Sequence, residues 1–221
     1  MLKGIPRFQS SLILMIAVLI ILVGCSTAYY GTMEKLGYHK RDIMVSRVES
    51  ARDAQEEAKE QFKSALEQFS SVLKVDGGEL EEKYAQLKAA YDKSAARAEA
   101  VQERIEEVED VSEALFDEWQ TELDQYTSDS LRRSSARKLR QTKRQYAQLI
   151  GAMKRAEKKM APVLRAFNDQ VLFLKHNLNA RAIASLQTEL ASVEAEVNSL
   201  IRDMEASIKE ADVFINAMAK E

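Results

Sequence analysis

Glycine and proline are nearly absent from this chain of 221 residues, which has seven of the first and two of the second. Ordinary globular proteins use about 7% glycine and about 5% proline. Between Tyr38 and Glu221 only Gly77, Gly78, Gly151 and Pro162 remain. So few turn-formers exclude a many-stranded sheet protein, since each strand reversal needs residues that tolerate turn geometry. The intervening stretches are rich in Ala, Glu, Lys, Leu and Arg and predict an all-α fold of long helices.

Cysteine and histidine are as scarce. Cys25 is the single cysteine, so no intramolecular disulfide can form, and His39 and His176 are the only histidines. Cys–His nucleophilic chemistry and a zinc site of His/Cys type therefore lack their residues. The Glu-x-x-His signature of di-iron bundles is missing too, because Leu36 and Phe173 stand three residues before the two histidines. There is no glycine-rich phosphate loop. Acids at helical spacing are abundant, but 35 of them on long helices generate close pairs by chance. The expectation is a non-enzymatic protein with no catalytic residues, no metal site and no cofactor.

What is present begins with the three parts of an export signal. Lys3 and Arg7 form a positive start, Leu12 to Val23 an unbroken apolar run, and a small-residue site follows. Twelve apolar residues fall short of the roughly 20 a spanning helix needs. Leu22-Val23-Gly24-Cys25 resembles the lipobox read by the lipoprotein signal peptidase. Residues 1–24 are therefore expected to be a removable signal peptide, and Cys25 to carry a diacylglycerol thioether and, by resemblance to bacterial lipoproteins, an amide-linked chain such as palmitate. Each buried methylene contributes about 0.8 kcal/mol, and about two chains suffice for stable anchoring.

Removing residues 1–24 leaves 30 basic and 35 acidic residues, a net charge of −5, which gives no reason to expect nucleic-acid binding. Ser26, not Asp, follows Cys25, a pattern that looks like sorting to the outer membrane of Gram-negative bacteria, with the protein on its periplasmic face. Residues 25–38 read as a short lipidated tether. Tyr29 and Tyr30 there suit either the lipid headgroup level or the base of a bundle.

Residues 39–221 follow the three-and-four spacing of coiled coils in four segments. The first stripe runs from Met44 to Val72 with Gln55 breaking it, the second from Leu80 to Trp119 with Ser94 and Ser112, the third from Leu139 to Phe167 with Thr142, and the fourth from Ile183 to Met218 with Ser207. Helices are expected at about 39–74, 79–126, 129–176 and 180–218, forming an elongated antiparallel bundle. Asp76-Gly77-Gly78-Glu79 supplies a turn, and Thr127-Ser128-Asp129-Ser130 a break with several N-cap candidates. Pro162 predicts a bend near Arg155 to Pro162, without a full break. Lys175 to Asn179 contains no Gly or Pro, but asparagine tolerates left-handed backbone, and one continuous helix would leave much of its apolar stripe without a partner of matching length, so a turn is expected to separate the third and fourth helices. A single helix of nearly 90 residues is the alternative.

Charge is segregated along the sequence. Ten acids and one base, Arg104, lie in 103–124, and then Arg132, Arg133, Arg137, Lys138, Arg140, Lys143 and Arg144 come without an acid. A hairpin about Ser128 would lay one block on the other, with Glu113 near Lys143 and Glu118 near Arg137 or Lys138. The rival reading is an anion-binding patch at the tip of the rod.

Ala28 to Ile43, Asp110 to Trp119 and Leu174 to Ile183 give the chain a family likeness. With these stretches, Ala28-Tyr29-Tyr30-Gly31-Thr32-Met33-Glu34-Lys35 and Leu174-Lys175-His176-Asn177 among them, it resembles a family of uncharacterised gammaproteobacterial lipoproteins filed as a domain of unknown function numbered 2959. The resemblance spans nearly all of the mature chain and implies lipidation and coiled coil, with no activity and no functional residues. Within these stretches His39, Lys40, Arg41, His176, Asn177 and Asn179 stand where helices start or stop, positions that suit capping or an interaction surface.

The functional expectation is a membrane-anchored envelope lipoprotein, a helical rod serving as scaffold, spacer or adaptor for an envelope protein or cell-wall partner. Self-association is left open. The alternatives are a surface-active or anionic-polymer-binding and lipid-binding helical protein, and a hydrolase with a buried carboxylate pair.

Overall fold

Helices form along the four three-and-four stripes. The computed structural model describes Met33 and residues 39–72, 80–177 and 180–219. The expected signal peptide with Leu22, Val23 and Gly24, lipidated Cys25, Tyr29, Tyr30, the Gly77-Gly78 turn and Asn179 lie outside the described residues. Helix α1 spans Lys40–Val72, α2 Leu80–Glu122, α3 Asp129–His176 and α4 Ala180–Ala219, with a short 3-10 turn at Leu123–Gln125. No strand occurs among the described residues, and the class is all-α as expected.

Cross-helix contacts fix the topology. Lys40 meets Glu118 and Arg47 meets Glu107, so α1 rises as α2 descends. Trp119 reaches Ser135, and Lys154 pairs with Glu109, between α2 and α3. Lys159 pairs with Asp203 of α4, and Asp212 of α4 pairs with Arg52 of α1. The four helices close a ring in the order α1, α2, α3, α4, each antiparallel to its neighbours. Phe62 of α1 and Phe167 of α3 stack across the middle with ring centroids 6.3 Å apart, which places the core on the axis of the ring.

All five residues that break the apolar stripes, Gln55, Ser94, Ser112, Thr142 and Ser207, are buried at their heptad positions. The register therefore passes straight through them. Three of them spend their hydroxyls locally, Ser94 on the Ala90 carbonyl at 2.9 Å, Ser112 on that of Glu109 at 2.8 Å and Thr142 on that of Lys138 at 3.1 Å.

Helix α3 starts at Ser128, whose hydroxyl accepts from the Leu131 N–H at 3.4 Å. Asp129 in its first turn binds Arg132 at 2.8 Å and sets a negative charge at the positive end of the helix dipole, offsetting the basic residues that follow. Pro162 lies inside α3 without ending it. At the far end Asn177 has φ −135° and ψ 60°, so it leaves the helix without adopting left-handed backbone. The two-helix reading holds over a single helix of nearly 90 residues.

Lys40 stands level with Glu118, so the last turn of α2 and the first turns of α3 extend past the start of α1. They reach roughly 10 Å beyond the level of Lys40, and Met33, ahead of α1, packs half-buried against the core. Met218, near the end of α4, accepts from the Arg41 guanidinium through its backbone carbonyl at this same end.

Candidate functional site

The polar residues singled out at helix ends are separated by the fold. His39 is exposed, and its carbonyl accepts from the N–H groups of Asp42 at 2.9 Å and Ile43 at 3.1 Å, opening α1. Lys40 is turned inward, its side chain 11% exposed, and donates to Glu118 at 2.7 Å. Arg41 reaches the α4 terminus. These residues tie α1 to α2 and α4. His176 is exposed at the opposite end of the bundle, the last residue of α3. Asn177 caps α3, its amide donating to the Phe173 carbonyl at 2.9 Å and its N–H to that of Leu174 at 3.1 Å. The two clusters form no common site, and their described contacts are those of helix ends being closed.

No Asp or Glu is buried among the described residues, where the buried polar residues are Gln55, Lys59, Ser94, Ser112, Thr142, Gln170 and Ser207. A groove between α3 and α4, beside Gln170, Phe173 and Leu186, has Asp169, Glu189 and Glu196 on its rim, all three exposed. No group of three or more His, Cys, Asp or Glu suited to a metal ion, and no helix long and apolar enough to cross a membrane, occurs among the described residues.

The opposed charge blocks lie side by side on a real hairpin but do not join as expected. Glu118 goes to Lys40, and the Lys143 ammonium sits over the Phe116 ring, 5.4 Å from its centroid. Among the described residues no ion pair links the basic run 132–144 to the acids of 103–124; Lys154 with Glu109 is the pair joining α2 to α3. The reason is geometric. Leu139, Thr142 and Leu149 set the inward direction of α3, and at 3.6 residues per turn Arg133, Arg137, Arg140 and Arg144 then fall on its far side. All four are exposed.

The same holds on α2. Glu99, Glu103, Glu106, Asp110, Glu113 and Asp117 repeat at alternating steps of four and three on the side away from Val101, Ile105 and Val108, and all are exposed. Helix α2 carries 13 acids and 5 bases, and α3 carries 13 bases and 3 acids. One side of the bundle thus has an acidic ridge running beside a basic one. This segregation was legible in the spacing, had the charged residues been placed on the helical wheel along with the apolar ones.

No curated protein and no solved structure matches the chain. A family model does match, over residues 29–218, which takes in all four helices and the segment that leads into α1. The chain belongs to the family described as "Protein of unknown function (DUF2959)".

Proposed function

We propose that the protein is a non-catalytic envelope lipoprotein, lipid-anchored through Cys25 to the periplasmic face of the outer membrane, whose bundle acts as a stiff rod that spaces or recognises another envelope component. The observation that carries this reading is where α1 begins. Lys40 and Arg41 tie the start of α1 to Glu118 and Met218 at one end of the rod. Residues 26–38 connect that end to Cys25. A lipid there would hold the rod by its end, leaving its long sides available to a partner helix or polymer.

The distribution of carboxylates supports the non-catalytic part. A carboxylate hydrolase needs an acid whose proton affinity is raised by burial or by a close like charge. The shift found on an acid here is in the other direction: the Lys63 ammonium beside Glu60 holds that carboxyl below its ordinary value.

Cys25→Ser tests the anchor. The variant should accumulate as uncleaved precursor or soluble protein and disappear from the outer-membrane fraction, read by fractionation and mass spectrometry of the N-terminus. Unchanged fractionation with a lipid-free mature N-terminus would end the lipoprotein reading. Crosslinking in intact cells should recover a defined protein or peptidoglycan partner, and recovery of lipid alone would refute the scaffold role.

A further inference from the structure

We infer that the α2–α3 side of the bundle is a docking surface for a second copy of this chain, in a parallel two-fold dimer. The acidic ridge from Glu99 to Asp117 on α2 lies beside the basic ridge of α3 over the same stretch of rod, as the contacts of Phe116 with Tyr146 and of Glu109 with Lys154 establish. There α3 presents Arg140, Arg144, Arg155 and Lys158, all exposed and, among the described residues, without an ion pair. Both ridges repeat with the three-and-four spacing by which helices align with helices.

Symmetry then selects one arrangement. A two-fold axis running along the rods sets α2 of one copy opposite α3 of the other with no axial shift, so that the acidic ridge of one copy faces the basic ridge of the other and the converse contact is made across the axis. An axis perpendicular to the rods sets acid on acid and base on base, which is repulsive along the whole side. The charges alone therefore require a parallel pair, without appeal to the lipid anchor. Both copies of α1 then begin at the same end, as two chains held in one membrane must.

Gly151 points the same way. It lies in the interior of α3, where glycine weakens a helix, and it falls on the outward ridge between Arg144 and Arg155. A Cβ added there would meet nothing in the chain closer than the Arg155 guanidinium at 3.5 Å, so no packing within the described chain requires glycine. Close approach of a second helix does. Exposed charges contribute little singly, and their complementarity governs partner choice and register, which makes the association salt-sensitive.

The test uses two differently tagged copies of the full chain, co-expressed and purified in detergent micelles. Wild-type copies should retrieve each other, and less so as salt is raised. Arg140→Glu, Arg144→Glu and Arg155→Glu together make an all-acidic side, and Glu106→Lys, Glu113→Lys and Asp117→Lys an all-basic one. Each triple variant should lose retrieval of its own kind by about tenfold. All-acidic and all-basic copies should retrieve each other, and a chain carrying all six changes should again retrieve itself. Circular dichroism checks that helicity is kept, and Gly151→Leu, for which the flexible Arg155 side chain can make room, should block retrieval without any change of charge. Wild-type copies that fail to retrieve each other at low salt, or retrieval equal in every charge combination, would overturn the proposal. So would vesicles of anionic lipid that capture the wild-type and all-basic chains while no two copies associate, an outcome that would assign the basic ridge to a membrane surface.

Discussion

At the scale of single residues the core holds one costly feature. The amide of Gln55 is fully buried and neither its nitrogen nor its oxygen has a partner, and the hydroxyl of Ser207 is in the same state. Gln55 lies on α1 between Arg52, which pairs with Asp212, and Lys59, which feels Glu205, so Gln55 and Ser207 fall at one level of the α1–α4 seam. An unpartnered buried polar group costs about 1–3 kcal/mol. Gln55→Leu should therefore raise the melting temperature, followed by circular dichroism, and a decrease would show that the amide contributes packing or bonding that leucine cannot replace. The gain in stability would come with a looser choice of register, the known use of a lone polar residue in a coiled-coil core. Tyr146 gives a pH-dependent counterpart. Burial pushes its phenol above the ordinary tyrosine value near 10, while a hydrogen bond with Ser112 pulls it back. The folded protein thus holds this proton more tightly than the unfolded chain. Its contribution is intact below about pH 10 and is lost as the pH rises through the elevated folded value. Tyr146→Phe should flatten the alkaline fall in stability, and an identical alkaline limb in both proteins would place the titrating group elsewhere.

At the scale of elements, helix existence and limits were legible because the signals were long and periodic. The expected ends at 126 and 129 meet the structure at the 3-10 turn and at Ser128, and the break near 177 is real. The destination of the charges lay in their helical spacing and not in the order of the blocks. Sequence order put an acidic block before a basic one across a turn, and antiparallel folding suggested pairing. Yet the stripe that buries Leu139 and Leu149 rotates the arginines outward, and pairing is settled by rotation about the helix axis, which one-dimensional blocks do not carry. Lys40 and Arg41, whose place at a helix start suited either capping or an interaction surface, are joints between helices. Helix α3 carries one element-scale cost, Pro162, which leaves the fourth-preceding carbonyl without its helical donor; in a helix interior this costs about 3 kcal/mol. Pro162→Ala should raise stability by a fraction of that, about 1–2 kcal/mol, because proline also restricts the unfolded chain. A destabilised variant in urea titration would mean that the packing around Val163 and Phe167 is shaped to the proline.

At the scale of the whole molecule the ring of four helices has three seams joined by loops and one, between α4 and α1, that side chains alone hold closed. Arg52 with Asp212 at 3.1 Å, Arg41 with the Met218 carbonyl, and the buried residues Ala51, Ala58, Ala211 and Phe214 make up that seam. A surface-active protein would open there, unrolling two hairpins to lay their apolar stripes on lipid, as amphipathic helices do at a membrane interface. A rod that spaces or recognises must stay shut. In a Cys25→Ser background, Arg52→Cys with Asp212→Cys should be joined within one chain by a short thiol crosslinker, since the two native side chains touch. The crosslinked protein should melt higher than its uncrosslinked form, because the bridge closes a loop of about 160 residues and restricts the unfolded chain. The deciding comparison adds phospholipid vesicles before the crosslinker. Undiminished crosslinking on vesicles fits the rod; loss of crosslinking, together with vesicle binding that the preformed crosslink prevents, would mean that the bundle works by opening.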